Sequence, residues 1–581
     1  MFTNKSGFSL VEIIIAMAIF SIIVAGGLTG FIPVLNQNRQ STEIIQASRL
    51  AQEGLEAVRS IRDRNFALLS EGNSGIGISN NLWNFSGVSD ITGKFTRQIS
   101  LVSTTDPDVW QVKSLITWNY NPSETKQFSL ETILTNWRKS IGVNYDGVIV
   151  YGNDSSVTPF WNSYTNSSNV FGTKVTMPAL IGNPRNFVIK TSPQKTEAIA
   201  GTVTSSGVLY IYCFNGNNWT QDWSVTVGGA AETRRFDIAY ETNSGNTVVL
   251  YSTNNSNANE LNFKTKTGSS GCGSGNWSTS TNYDPFQTSG VVQWVKMASN
   301  PKNNLIATTW ADSNSDLSAS IWNGSTFQNE PSSVTESSLE FVSASQDVDD
   351  FDLTYESLSG DLMLVWANSV GKNGTNGVRY RLCTGNSANC TWGTNTTPPT
   401  FSDDATNLDI SANSNSDEIV FASIGNAKGN LQIGYWNGNN WTNKANVDTS
   451  TQTPFTGSKL VTTGWLISNT TARSIIVYAD NKSNNVNWYL GNQGTFSPQT
   501  DFAISPKFAA TQNWFKINTD PKNQNQLMLT VADNNSNLFA KRLIMTSTPA
   551  FTWTNSDGGA AIETNLGQPI VNPFGFAYWQ K

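Results

Sequence analysis

Residues 236–252, FDIAYETNSGNTVVLYS, and residues 351–367, FDLTYESLSGDLMLVWA, are two versions of one pattern: an apolar strand, a polar turn and a second apolar strand. The pattern recurs along most of the chain at intervals between 49 residues (Phe187 to Phe236) and 59 residues (Phe515 to Phe574). Its copies begin at Phe187, Phe236, Trp294, Phe351, Leu408, Leu460, Phe515 and Phe574. An internal period of this length indicates a repeat architecture.

Each copy except the last continues with a third strand, a polar turn and a fourth strand that carries an aromatic residue. The clearest turns are Asn-Gly turns, in YCFNGNNWT from Tyr212, IWNGSTF from Ile321 and YWNGNNWT from Tyr435. Asn-Gly between alternating strands favours a tight hairpin. Four strands in roughly 40 to 60 residues are typical of one β-propeller blade. The chain is therefore predicted to be mainly β, with a β-propeller over residues 139–581.

The ends of the repeated region predict how the ring closes. The last copy, FGFAYW from Phe574, has no further strand after it, whereas GVIVYGND from Gly147 and PFWNSYTN from Pro159 have no first strand before them. We therefore predict that the C-terminal strand completes a blade with residues 147–173. Such closure leaves no unpaired sheet edge. The prediction is eight blades, with seven as the alternative if one weak copy is irregular.

The composition excludes several classes of function. The chain has 581 residues, no histidine and a formal net charge of −7, and only 14% of its residues are charged. Without histidine there is no imidazole base for a Ser-His-Asp mechanism, and the usual nitrogen ligands of zinc are missing. An acidic chain also offers no basic surface for nucleic acid. We expect an extracellular protein that binds no nucleic acid and is not an enzyme, although enzymatic activity of the propeller stays open.

The N-terminus reads MFTNKSGFSLVEIIIAMAIFSIIVAGGLTGFIPVL, in which Lys5 precedes an apolar run from Ile13 to Leu35. This run can cross a bilayer, for which about 20 residues are needed. It is too long for a secretory signal peptide, and no small-x-small cleavage site follows it. Glu12 lies at the edge of the run, where a carboxylate is costly in lipid, so it indicates a partner or a function.

The string GFSLVEIIIAMAIF resembles the start of the type IV pilin family, whose precursors carry a short leader ending in Gly, then Phe, then Glu as the fifth residue of the mature chain. Those positions are Gly7, Phe8 and Glu12 here. The resemblance implies that a prepilin peptidase removes a leader over residues 1–7 and methylates the new amine of Phe8. It also implies that apolar helices pack into a filament, where Glu12 faces the N-terminal amine of a neighbouring subunit.

One helix is predicted over residues 8–67, apolar over 8–35 and amphipathic over 36–67. An amphipathic helix must bury its apolar face, so we expect it to pack on a small pilin-like sheet over residues 68–138. Residues 70–90 are interpreted as a polar, Gly-rich connection before the sheet. The predicted strands, which alternate apolar and polar residues, are Phe95–Val102, Trp110–Trp118 and Gln127–Leu134.

Two pairs of cysteines are candidates for disulfides. Cys383 and Cys390 flank the turn TGNSAN between the third and fourth strands of one copy, so a disulfide is predicted there. A disulfide fits an oxidising, extracellular compartment. Cys213 and Cys272 lie in adjacent copies, and the sequence leaves open whether they pair or remain buried thiols.

Three polar turns are weak candidates for a calcium site, at Asp312, Asp480 and Asp533. Carboxylate and amide oxygens are calcium ligands, but these turns lack the full spacing of a calcium loop, and Asp and Asn are favoured in turns anyway. No metal ligand and no catalytic residue is therefore assigned. The expectation is that the protein has no cofactor, with calcium left open.

These features predict a minor or tip subunit of a type IV pilus, which assembles by its N-terminal helix and displays the propeller for adhesion to a surface, a cell or a glycan. Its partners would be other pilin subunits, prepilin peptidase, the pilus assembly machinery and an extracellular ligand. The chain would be a membrane-inserted precursor and then part of an extracellular pilus. Two alternatives remain: an anchored propeller enzyme acting on glycans, and a pseudopilin of a secretion or DNA-uptake system.

Overall fold

The computed structural model describes most of the chain after the first eight residues. The described residues are 9–64, 66–79, 81–104, 109–135, 145–228, 233–253, 260–283, 290–331, 335–339, 350–368, 377–396, 405–425, 429–452, 454, 457–468, 471–479, 485–501, 512–546, 550–567 and 571–581. The chain divides into two compact units, Met1–Ser140 and Ile141–Lys581.

The first unit contains one long helix, α1, and one antiparallel sheet. The helix spans Leu10–Arg64 and is followed by a short 3-10 turn, Phe66–Leu68. The sheet order is β2-β1-β4-β5-β6, and β3 pairs with β4. Its strands are β1 Gly72–Ser79, β2 Leu82–Ser86, β3 Asp90–Thr92, β4 Phe95–Ser103, β5 Val109–Asn121 and β6 Glu124–Thr135.

The interpretation of residues 70–90 as a plain connection is wrong, because this segment forms β1, β2 and the start of β3. Its Gly and Ser content hid the strand pattern. The apolar residues nevertheless alternate and meet across the β1–β2 hairpin, where Ile76 is opposite Phe85 and Ile78 is opposite Trp83. Cross-strand pairs of this kind stabilise a hairpin even when the residues between them are small and polar.

The second half of α1 packs on the sheet through one apolar face. Residues three or four apart share a helix face, and the buried ones are Ala47, Ala51, Leu55, Val58 and Ile61. Gly54 lies where the helix approaches the sheet. A Cβ atom at Gly54 would be 2.6 Å from Ser114 Oγ and 2.9 Å from Ile99 Cδ1. The missing side chain therefore permits this close approach.

The described residues of the second unit form eight antiparallel sheets, here numbered 1 to 8. Sheet 1 contains β7 Gly147–Asn153, β8 Ser156–Thr165, β9 Val170–Phe171, β10 Val175–Thr176 and β39 Phe574–Tyr578. Sheet 2 contains β11 Pro184–Thr191, β12 Ala198–Thr204, β13 Val208–Phe214 and β14 Trp219–Thr226. Sheet 3 contains β15 Phe236–Tyr240, β16 Thr247–Ser252, β17 Leu261–Lys266 and β18 Thr281–Asn282, with a 3-10 turn at Ser274–Asn276.

The remaining sheets have the same four-stranded meander order. Sheet 4 contains β19 Val292–Ser299, β20 Ile306–Asp312, β21 Leu317–Trp322 and β22 Phe327–Gln328. Sheet 5 contains β23 Phe351–Tyr355, β24 Leu362–Ala367, β25 Val378–Thr384 and β26 Thr391–Trp392. Sheet 6 contains β27 Thr406–Ala412, β28 Ile419–Ile424, β29 Leu431–Trp436 and β30 Trp441–Asp448. Sheet 7 contains β31 Val461–Ser468, β32 Thr471–Ala479, β33 Val486–Asn492 and β34 Thr495–Pro498. Sheet 8 contains β35 Gln512–Thr519, β36 Gln526–Asp533, β37 Leu538–Met545 and β38 Phe551–Asn555.

One strand of each sheet, called the inner strand, lies beside the inner strands of the neighbouring sheets. The inner strands are β39, β11, β15, β19, β23, β27, β31 and β35; each contacts the next, and β35 contacts β39. Backbone hydrogen bonds join neighbouring sheets where these strands begin, as from Phe187 N to Asn572 O (2.8 Å) and from Phe515 N to Lys459 O (2.9 Å). Four-stranded sheets repeated in this way are typical of a β-propeller. The space between the inner strands is called the central channel below.

The last strand of the chain belongs to the sheet that opens the second unit. Strand β39 pairs antiparallel with β7, with Phe574 opposite Tyr151 and Tyr578 opposite Gly147. This is the pairing that the sequence predicted for the C-terminus. It gives sheet 1 an inner strand like that of every other sheet.

Two predicted starting residues are out of register by one position. Strand pairing gives Val295 and Val461 the place in their sheets that Phe351 has in sheet 5, where Trp294 and Leu460 were predicted. An irregularity in the β19–β20 pairing lies just before Trp294 and shifts the register. A β-bulge of this kind adds one residue to a strand and cannot be seen in a hydrophobic pattern.

Buried acid–indole hydrogen bonds connect neighbouring sheets. The glutamate that ends FDIAYE, Glu241 in sheet 3, accepts a hydrogen bond from Trp322 Nε1 in sheet 4 at 2.7 Å. The glutamate that ends FDLTYE, Glu356 in sheet 5, accepts one from Trp436 Nε1 in sheet 6. Both glutamates and both tryptophans are buried. Trp322 and Trp436, which end the third strands of their sheets, thus pack between neighbouring sheets.

Candidate functional site

The first half of α1 is an apolar surface against which no other described part of the chain packs. The segment Leu10–Gly27 has a mean hydropathy of 2.5, and none of it is buried. Large side chains such as Phe20 (68% exposed) and Ile22 (71% exposed) project freely. A helix of this length and composition is able to cross a membrane. The predicted processing residues, Gly7 and Phe8, lie outside the described residues.

Glu12 lies in the first turn of this apolar helix. Its carboxylate accepts a hydrogen bond from Ser9 N at 3.0 Å, which satisfies one of the free amides at the helix start. No lysine or arginine among the described residues is within ion-pair distance of Glu12. In an apolar environment this carboxylate would need a cation from another molecule.

All four cysteines form disulfides. Cys383 is bonded to Cys390, as predicted, and Cys213 is bonded to Cys272, a pairing that the sequence left open. The second bond connects β13 of sheet 2 to the segment between β17 and β18 of sheet 3. Glu197 lies beside this bond, but its carboxylate binds Lys266 Nζ (2.7 Å) and Lys195 Nζ (2.9 Å). Glu197, Cys213 and Cys272 lie close enough together to resemble a metal site, but the disulfide and the ion pairs already use their sulfur and carboxylate atoms.

The candidate calcium ligands Asp312 and Asp533 accept hydrogen bonds in their own turns. Asp312 accepts from the amides of Asn314 and Asp316 with one oxygen and from Gly290 N with the other. Asp533 accepts in the same way from Asn535 N and from both nitrogens of Asn537. Burial raises the pKa of both carboxyls, and the amide hydrogen bonds oppose this effect. Asp480 lies outside the described residues, so calcium binding stays a prediction.

The central channel contains a cavity of about 370 Å³ that is lined from all eight sheets or the residues just before their inner strands. Its charged lining residues are Lys190, Arg234, Asp237, Lys296, Asp352, Asp409, Lys459 and Lys516. A second cavity of about 280 Å³ lies against β39 and shares Lys190, Arg234 and Lys516 with the first. The channel is thus a polar cavity with convergent charges.

Lys516 is a channel residue whose pKa is shifted by its surroundings. Its side chain is open to the channel but surrounded by protein, and this burial together with Lys459 lowers its pKa to about 8. Asp409 and Asp352 oppose this shift, while Lys190 adds to it. Burial raises the pKa of Asp409, but the charges of Lys459 and Lys516 outweigh burial and lower it.

Sequence reasoning missed the charged channel residues, although the repeat contained a signal for them. Asp237 and Asp352 are the second residues of FDIAYE and FDLTYE, and Lys516 is the second residue of FKINTD. Within a strand that is otherwise apolar, a charge at one fixed position marks the face that meets water. The pattern does not show that this face lines a channel, because the channel forms only where the inner strands of different sheets lie side by side.

Comparison with protein families identifies the N-terminus. Residues 2–28 match the family model described as the prokaryotic N-terminal methylation motif. The match includes Gly7, Phe8, Glu12 and much of the apolar helix, which is joined to a large β-rich unit. This combination fits a membrane-inserted precursor that leads to an extracellular pilus. No curated protein matches the chain.

Solved structures similar to this chain include lectins and a lyase. A lectin from Burkholderia pseudomallei, BP39L, is 10% identical and aligns over 65% of this chain and 99% of its own, with a TM-score of 0.45. The polysaccharide lyase Uly1 is 8% identical over 66% of this chain and 93% of its own, with a TM-score of 0.38. The fucose-specific lectin from Aleuria aurantia is 10% identical over 58% and 98%, with a TM-score of 0.31.

Proposed function

We propose that this protein is a minor or tip subunit of a type IV pilus or a related filament. It is anchored by α1 and displays its second unit for adhesion to a surface, a cell or a glycan. The observation that carries the proposal is an N-terminal methylation motif on a helix whose apolar segment, Leu10–Gly27, is not buried by any residue that the structure describes. Such a surface requires lipid or other helices as neighbours.

Glu12 tests the assembly part of the proposal. In a filament its carboxylate would pair with the N-terminal amine of a neighbouring subunit, and losing one partner of a buried pair costs about 3–5 kcal/mol. Glu12→Ala should therefore leave the protein in the membrane but sharply reduce its amount in sheared, purified filaments. Glu56→Ala is a matched control on the same helix, because Glu56 is exposed and pairs only locally with Arg59. Normal incorporation of Glu12→Ala would refute the pairing.

The second unit favours a minor or tip position. We propose that its eight sheets are the blades of one eight-bladed propeller closed by β39, a body of 441 residues, Ile141–Lys581, attached to each helix. That bulk would crowd a lattice in which every subunit carried it. Gold labelling of the second unit should mark filament tips or sparse positions. Regular labelling along the whole filament would refute the minor role, and absence of any surface filament would favour a pseudopilus.

Adhesion is the proposed role of the displayed unit. A screen of whole filaments against a glycan array and host or bacterial cell surfaces tests it. Filaments from a strain that lacks only this subunit are the control, and equal binding by both filaments would refute adhesion through this protein.

A glycan-acting enzyme is the second candidate, and the charged channel favours it. Asp409 and Lys516 line one cavity, and a lysine whose pKa is about 8 can act as a proton acceptor near neutral pH. Incubation with polysaccharides that the protein binds distinguishes the two functions. Shortened products that disappear in Lys516→Met would establish catalysis, whereas binding without products supports a purely adhesive role.

A further inference from the structure

The charges in the central channel do not balance. Five cations and three carboxylates line the larger cavity, and the carboxylates each have a cationic partner. The pairs are Arg234 with Asp237 (2.6 Å), Lys459 with Asp409 (2.6 Å) and Lys296 with Asp352 (3.5 Å). Within the described part of the chain, Lys190 and Lys516 have no carboxylate within ion-pair distance. Two positive charges are therefore in excess inside a protein whose formal net charge is −7.

The two excess lysines occupy one region of the channel. Lys190 is on β11 of sheet 2 and Lys516 is on β35 of sheet 8, and only sheet 1 separates these sheets in the ring. Both side chains are exposed to the channel, and both line the larger and the smaller cavity. Positive charge inside a cleft with walls of low dielectric constant concentrates anions there.

Two polar side chains that line the same cavities each have an atom without a hydrogen-bond partner in the described structure. Arg234 lines both cavities, and although one of its terminal nitrogens binds Asp237, its buried Nε has no hydrogen-bond partner in the described structure. Asn518 also lines both cavities, and its buried Oδ1 is likewise without a partner. Buried polar groups are normally hydrogen-bonded, so these two atoms offer one donor and one acceptor to a ligand that enters the cavities.

We propose that the central channel binds a carboxylate group at a site formed by Lys190, Lys516 and Arg234. The nature of the rest of the ligand rests on the proposed adhesive function. If the displayed unit binds glycans, the ligand is an acidic saccharide. The ammonium groups and the guanidinium Nε–H donate to the anion, and Asn518 Oδ1 accepts from a sugar hydroxyl. The cavity of about 370 Å³ is large enough for a small ligand, since such sites span roughly 300–1,000 Å³.

The test measures binding by the full chain in detergent micelles. Isothermal titration uses three acidic sugars (galacturonate, glucuronate and N-acetylneuraminate), inorganic sulfate and the neutral sugar galactose. We expect at least one acidic sugar to bind more tightly than galactose, with an affinity that falls as salt rises. Lys190→Gln and Lys516→Gln should each weaken this binding by roughly tenfold, which is the loss of about 1.4 kcal/mol.

Lys444→Gln is the matched control, because Lys444 is an exposed lysine on the outer strand β30 of sheet 6. An unchanged affinity in Lys444→Gln together with losses in both channel variants supports the site. Equal binding of galactose and acidic sugars, no binding of any acidic sugar, or binding of sulfate alone would overturn the proposal. A neutral glycan bound by whole filaments would overturn it while leaving the adhesive function intact.

Discussion

At the scale of single residues, Glu43 fixes α1 to the sheet of the first unit. Its carboxylate accepts hydrogen bonds from Trp118 Nε1 (2.7 Å) and Arg39 Nε (2.9 Å) and forms an ion pair with Lys94. Burial raises the pKa of Glu43, but the hydrogen bonds of Lys94, Arg39 and Trp118 outweigh burial and lower it. The charged form is therefore the one that the folded state prefers.

Glu43→Gln should reduce the free energy of unfolding by about 1–3 kcal/mol at neutral pH, the usual cost of unpairing a buried hydrogen-bonded group. Because the folded pKa is below that of the unfolded chain, this stabilisation is present above the ordinary pKa of 4.5 and is lost as pH falls through the folded value. Urea unfolding should show a larger difference between the variant and the native chain at pH 7 than at pH 3. A difference of equal size at both values would contradict the assignment, and the exposed Glu56→Gln is the control.

The ammonium form of Lys516 lowers the stability of the folded protein. Its pKa of about 8 in the folded state is below the ordinary value of 10.5, so folding disfavours its ammonium form. Between these values the unfolded chain holds more protons, and stability should therefore rise with pH. Groups kept despite such a cost are common at functional sites.

Lys516→Met should consequently raise the melting temperature at pH 7, because it removes the unfavourable ammonium group. The gain over the native chain should shrink as pH rises from 8 to above 10, where the native lysine is neutral in both states. Differential scanning fluorimetry across this range measures both trends. A lower melting temperature at pH 7 would mean that the ammonium group stabilises the fold.

At the scale of elements, the two disulfides restrain very different lengths of chain. Cys213 and Cys272 are 59 residues apart and connect sheets 2 and 3, whereas Cys383 and Cys390 are 7 residues apart within sheet 5. In the chain-entropy model, a longer closed loop restricts the unfolded state more. The bond between sheets should therefore contribute more to stability.

Replacing Cys213 and Cys272 by Ser should lower the free energy of unfolding by about 4 kcal/mol, compared with about 2 kcal/mol for Cys383 and Cys390. Chemical unfolding of the two double variants, with the native chain as reference, compares them directly. A greater loss from the Cys383–Cys390 pair would mean that local strain or packing, rather than loop length, decides the effect.

The sequence predicted those elements whose signal is local. Alternating strands with Asn-Gly turns at Asn215 and Asn437 and the unpaired strand at Phe574 were enough to predict the repeat and its last partner. The bulge before Trp294 lies within sheet 4 and cannot be seen in a hydrophobic pattern. Two other features depended on contacts between copies and could not be predicted: the Cys213–Cys272 bond and the convergence of the channel charges. Each requires knowing which side chains of different sheets meet, which a pattern along one chain does not contain.

At the scale of the whole second unit, β39 joins the two ends of the chain segment that forms the sheets. It pairs with β7 on one side and contacts β11 and β35 as an inner strand. Phe574, Phe576, Tyr578 and Trp579 are all buried, and each such side chain contributes roughly 1.5–3 kcal/mol. Loss of β39 would leave β7 as an unpaired edge of sheet 1. It would also expose the apolar residues of sheets 2 and 8 that lie against β39.

Deleting residues 574–581 should therefore destabilise the whole second unit rather than sheet 1 alone. Because β39 contacts both β11 and β35, its loss leaves sheets 2 and 8 with new apolar surface and removes a wall of the cavity beside Lys190 and Lys516. Hydrogen exchange should show faster exchange in β11 and β35 as well as in β7, and limited proteolysis should cut several sheets. Deletion of the exposed Lys581 alone is the control. Faster exchange confined to β7 and β8 would mean that the sheets stand independently and that closure by the last strand is not what holds them together.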